Sequence, residues 1–216
     1  MKSATTTSML LPIAALAFGA AFAGDMSQET QETTVHRFSD LSVVDGAKGT
    51  LTRMDNGVYL SVDTHELAPG HAVTMWWVVF NEPSMCSDDE CGENDVLMMD
   101  ADGNIADSQD GSVPINPEAW EAAKISVLRA DGLIIPEGGM ANFRGHLPVG
   151  DTTEALGGPG LLDPHKAEVH SVIRTHGKVA PDEQNAAVNS FAGGCDENWP
   201  NAPCEDLQFT VFKPTM

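Results

Sequence analysis

The chain has 216 residues, with 32 acidic and 11 basic side chains and a formal charge of −21 at neutral pH. That excess repels nucleic acid and anionic lipid and argues against both as partners. The length suffices for one domain with a substantial hydrophobic core.

Residues 1–23 read as an export signal. Lys2 gives a positive start, MLLPIAALAFGAAFA (9–23) an apolar core, and Ala21-Phe22-Ala23 a small-residue cleavage site. The apolar run is too short for a spanning helix. A secreted or periplasmic protein is expected, with no membrane insertion after the signal is cut. Residues 24–34, GDMSQETQETT, are polar and lack periodicity, so a flexible leader is expected there. The domain is expected to run from 35 to 216.

Strand signals begin with GTLTRM (49–54) and VYLSV (58–62), which alternate and place Val58, Leu60 and Val62 on one face. Asn56-Gly57 between them is a hairpin signal. HAVTMWWVVF (71–80) is the strongest strand. It is β-branched or aromatic and apolar on both faces, hence central in a sheet, with Trp76 and Trp77 packed on opposite sides. DADGNIADSQDG (100–111) imitates the start of a calcium-binding EF-hand loop. Ile105 stands where the turn needs glycine and Gly111 where the ion needs glutamate, so a hairpin turn is expected instead. NPEAWEAAK (116–124) predicts a short helix. A further hairpin turn is expected at Ala130-Asp131-Gly132. AEVHSVIRTHG (167–177) reads as a long strand with Val169, Ser171, Ile173 and Thr175 on one face. Glu168, His170, Val172, Arg174 and His176 take the other. DEQNAAVNSF (182–191) is a candidate second helix, and LQFTVF (207–212) closes the set. The pattern predicts an all-β fold: a single-domain antiparallel β-sandwich, Greek-key-like, with long loops and one or two short helices.

Four cysteines in an exported chain read as disulfides: Cys86, Cys91, Cys195 and Cys204. The local pairs Cys86–Cys91 and Cys195–Cys204 are favoured because each brackets a short turn-rich stretch; the crossed pairings stay open. The spacings match zinc motifs poorly.

ELAPGHAVTMWW (66–77) is similar to the Cu,Zn superoxide dismutase fold and the related CHRD β-sandwich domains. The likeness covers about a third of the exported chain and implies architecture. The copper-binding His-x-His pair of the dismutases falls on Thr74 and Trp76, neither of which replaces a histidine ligand, so it does not imply their activity. PGHAVTMWWVVFN, CSDDECG, NFRGHL, GPGLLDP and AEVHSVIRTHG together resemble an uncharacterised family of exported bacterial proteins, which implies one domain and no particular chemistry.

The candidate sites follow from residue chemistry. Asp88, Asp89, Glu93 and Asp95, in and beside the Cys86–Cys91 loop, offer the oxygens calcium requires, so Ca²⁺ is the expected ion if any is bound. So small a loop needs ligands from outside itself, and an exposed acidic rim is the alternative. His71, His146 and either His170 or His176 form a second candidate set, for copper or zinc in a metal protein or metalloenzyme. His170 and His176 lie about 20 Å apart along an extended strand and cannot share an ion. Arg174, beside Glu168 and His170, would bind a carboxylate or sugar, or serve cross-strand pairing on a solvent face. Trp120 and Trp199 are candidates for a surface platform that stacks on a glycan. No G-x-S-x-G nucleophile motif occurs. The expected function is an exported, non-catalytic binding or structural module whose ligand is a cation, a glycan or a protein.

Overall fold

The computed structural model describes residues 28–87, 90–106, 114–191 and 204–214. The signal segment, Asp88, Asp89, Gly111, Cys195 and Trp199 lie outside the described residues.

Among the described residues nine strands form: β1 (Gln28–Arg37), β2 (Val43–Met54), β3 (Gly57–Thr64), β4 (His71–Phe80), β5 (Ile125–Ile134), β6 (Ala141–Pro148), β7 (Ala155–Gly157), β8 (Glu168–Lys178) and β9 (Glu205–Phe212). Three short helices accompany them: α1 (Glu93–Val96), α2 (Pro117–Ala122) and α3 (Gln184–Val188). The fold is all-β and antiparallel, as expected. Its two layers belong to one curled sheet, in the order β6-β3-β2-β1-β9-β8-β4-β5-β7.

The curl is driven by apolar faces. Leu51, Val58, Leu60, Val62, Phe143 and Leu147 from the β2-β3-β6 half pack against Val73, Met75, Trp77, Val79, Leu128 and Ile173 from the other. Gly145 lets the halves close. A Cβ there would sit 2.6 Å from the Trp77 ring. β4 is buried on both faces, as its sequence predicts. Its Trp76, Val78 and Phe80 form a second cluster with Ile125 and Val127, covered by Cys86, Cys91, Val96, Trp120 and Phe191. Cys86, Cys91, Val96 and Trp120, from the excursion between β4 and β5, therefore lie over the outside of both strands.

The halves are joined at a short seam, because β1 meets β9 only at His36↔Phe209 and Arg37↔Gln208. Beside it lies Arg53, with no solvent exposure. Its guanidinium donates to the carbonyls of Pro164, Ala167, Phe212 and Lys213, and to Gln31 Oε1. At the far edge, Arg144 N–H of β6 donates to Asp131 Oδ2 of β5 at 2.9 Å, while Gly132 N–H donates to Oδ1. One carboxylate thus caps an edge where no strand pairs.

Two expectations are corrected. Residues 28–34 of the expected flexible leader are the start of β1, in register with β2 from Gln28↔Met54 to Thr34↔Lys48. The inward residues Glu29, Gln31 and Thr33 are polar and half-buried, so apolar periodicity does not reveal the strand. Asp131-Gly132 is not a turn but part of β5, at an irregularity opposite Met75 and Trp76. Glycine is required there because the Val188 carbonyl approaches to 2.2 Å of where a Cβ would stand. The β2–β3 hairpin forms as expected, though its turn is Asp55-Asn56 and Gly57 is already in β3, and the turn at Asp100–Asn104 forms with Asp100 Oδ1 accepting from the Asp102 and Asn104 amides.

Candidate functional site

The histidines do not gather. His71 Nδ1 is hydrogen-bonded to Thr175 Oγ1 at 3.1 Å, at the edge of β4. His176 Nε2 contacts Thr74 Oγ1 at 2.8 Å, which also accepts from Trp76 Nε1, and its Nδ1 lies 3.4 Å from Cys204 Sγ. His170 pairs with Glu168 at 2.7 Å and tilts over Phe80. His146 lies on the outer surface of β6. Among the described residues no three His, Cys, Asp or Glu side chains converge to hold a metal ion.

The polar row of β8 is buried, not a solvent face. Glu168, His170, Arg174 and His176 are all nearly inaccessible. Arg174 donates to Asp206 at 2.8 Å and lies 4.7 Å from the centre of the Phe191 ring. Arg174 and Asp206 border a cleft of about 330 Å³ together with Glu93, Phe38, Cys204 and Glu205. Loss of water raises the Asp206 pKa, and the Arg174 charge opposes that rise. Glu93 is exposed overall, yet crowding at the cleft raises its pKa, and the neighbouring Asp206 charge adds to the rise.

The acidic loop is closed by the Cys86–Cys91 disulfide. Cys204 is disulfide-bonded as well. Asp95 is 1% exposed and works inside the loop. Ser87 N–H and Oγ–H donate to its Oδ1, both at 2.8 Å, and Gly92 N–H donates to Oδ2 at 2.9 Å. Asp95 therefore staples the loop, while Glu93 faces the Arg174 cleft. These two members of the expected calcium set serve different surroundings. Trp120 is not a surface platform. It is half-buried in the second cluster and donates to the Val96 carbonyl at 2.7 Å.

The outer face of β1, β2, β3 and β6 carries what the sequence reading missed. Strand alternation sends Thr30, Thr52, Tyr59 and His146 outward in one cross-strand row, and Glu32, Thr50, Ser61 and Arg144 in the next. Tyr59 is 43% exposed and stacks on His146, with centroids 4.1 Å apart and planes 8° from parallel. The stack borders a depression of about 380 Å³, with Thr50, Thr52, Ser61 and Arg144 around it. Arg144 Nε donates to Asn142 Oδ1, and Asn142 Nδ2 donates to Asp63. The signal was present: with Val58, Leu60 and Val62 inward, Tyr59, the chain's sole tyrosine, must face out.

No family model, curated protein or solved structure matches the chain. Fold and surface therefore define it as an all-β protein with one curled antiparallel sheet and an aromatic, hydroxyl-rich outer face. The likeness to dismutase-type and exported bacterial domains rests on its quoted motifs alone.

Proposed function

We propose that the chain is an exported, non-catalytic binding module that holds carbohydrate on the outer face of β1, β2, β3 and β6. The carrying observation is the exposed Tyr59–His146 stack inside a hydroxyl-lined depression. A flat aromatic surface receives the C–H face of a sugar ring, and nearby hydroxyls exchange hydrogen bonds with those of the sugar. Such a surface is largely formed in advance, which limits the ordering cost of binding. Export to the periplasm or beyond is supported by the N-terminal signal pattern and by the Cys86–Cys91 disulfide. No helix among the described residues is long and apolar enough to cross a membrane. The non-catalytic reading draws on where the inner polar groups are committed. Ser126 bonds the Gly160 backbone, Ser171 bonds Thr210, and His170 bonds Glu168.

Titration calorimetry against a panel of oligosaccharides tests this. Tyr59→Ala is expected to abolish binding while leaving the melting temperature within a degree or two, since its ring is largely outside the core. Unchanged affinity in Y59A would refute the assignment of this face.

A further inference from the structure

We infer that the sugar held on this face is acidic, and that Arg144 reads its carboxylate; the inference rests on the proposed glycan-binding role. The argument starts from charge economy. The chain has five arginines among 32 carboxylates. Arg37 pairs with Glu66, Arg129 with Glu154 and Arg174 with Asp206, and Arg53 is surrounded by carbonyls. Arg144 differs. Among the described residues its two terminal nitrogens make no hydrogen bond or ion pair, and its Nε is held by Asn142. Two carboxylates lie close, yet neither neutralises it: Asp63 is reached through Asn142, and Asp131 accepts from the Arg144 backbone amide. Asn142 is an uncharged spacer that fixes the guanidinium without quenching it.

The site it overlooks is shaped for one ligand class. Arg144 pairs with Ser61, and His146 with Tyr59, two positions further along the same strands. Residues two apart on one strand face the same way at about 7 Å. A pyranose ring seated against the exposed side of the Tyr59–His146 stack has Arg144 two positions from His146 and diagonal to Tyr59, within reach of its exocyclic group. A carboxylate there accepts two parallel N–H bonds from the guanidinium fork, which a neutral hydroxymethyl group cannot match. On a protein of charge −21, an anionic ligand is repelled in general, so its capture needs a local, directed cation of this kind.

The experiment compares tetramers of galacturonate, glucuronate and mannuronate with their neutral counterparts, by calorimetry at low and moderate salt. At least one acidic tetramer is expected to bind about 10-fold or more tightly than its neutral partner, the scale of one charge-assisted contact. Arg144→Gln is expected to erase that preference, so that acidic and neutral tetramers bind alike, at an unchanged melting temperature. Arg144→Lys, which keeps the charge but loses the fork, should retain part of it. Equal binding of acidic and neutral tetramers by the parent protein, or a preference that survives R144Q, overturns the inference and leaves glycan binding standing. Absence of binding by every tetramer, acidic and neutral, overturns both.

Discussion

Arg53 shows how one side chain holds two layers together. A fully buried guanidinium is tolerated because Arg53, from β2, reaches across the seam to the carbonyls of Ala167 and Phe212 on the β8-β9 side and to Gln31 Oε1 of β1 on its own. Arg53→Met keeps most of the volume but orphans those acceptors, each at about 1–3 kcal/mol. A loss of about 3 kcal/mol or more in urea unfolding is expected, and a loss below about 1 kcal/mol would rule out the clamp. Glu93 gives a pH signature. Its folded-state pKa lies above the ordinary 4.5, so its contribution favours folding below 4.5 and is lost as pH rises through the raised value. Glu93→Gln should therefore melt higher than the parent at about pH 7, with the gap closing toward pH 4; pH-dependent melting curves check the sign. At this scale the sequence was partly legible. Alternation places Tyr59, Arg144 and His146 outside, but the unquenched state of Arg144 depends on Asn142 and Asp63, which only cross-strand register brings near.

Among the elements, β4 could be read from its residues because both of its faces are apolar and both are buried. β1 could not. Its inner face is polar, and what holds it is the backbone ladder to β2 and the Gln31 contacts with Arg53 and the Lys213 carbonyl. Amides within Gln28–Thr34 that point toward β2 should resist hydrogen exchange as strongly as their β2 partners. Rapid exchange throughout that segment would restore the flexible leader. The burial of the β8 polar row was equally hidden, since the residues beside Arg174 come from the excursion after β4, with Glu93 and Ile105, and from Phe191 beyond α3. Packing between halves is tested at Gly145. Gly145→Ala forces a methyl into the Trp77 ring and should cost about 1–3 kcal/mol in chemical denaturation. No cost would mean that the halves are not in close contact there.

For the molecule as a whole, charge and edges decide behaviour. A net charge of −21 opposes compaction, and salt screens it over a Debye length of about 10 Å at 0.1 M. The melting temperature should rise between low salt and about 1 M sodium chloride; a flat profile would show that the carboxylates are too dispersed to strain the fold. The carboxylate of Asp131 has a consequence of another kind. By occupying the Arg144 amide at the open border of β6, it blunts a template to which a strand from a second molecule could add. Asp131→Ala unmasks that donor, and with it the route from monomer to filament: solutions of the variant would turn cloudy with concentration and time, seeded by their own aggregates.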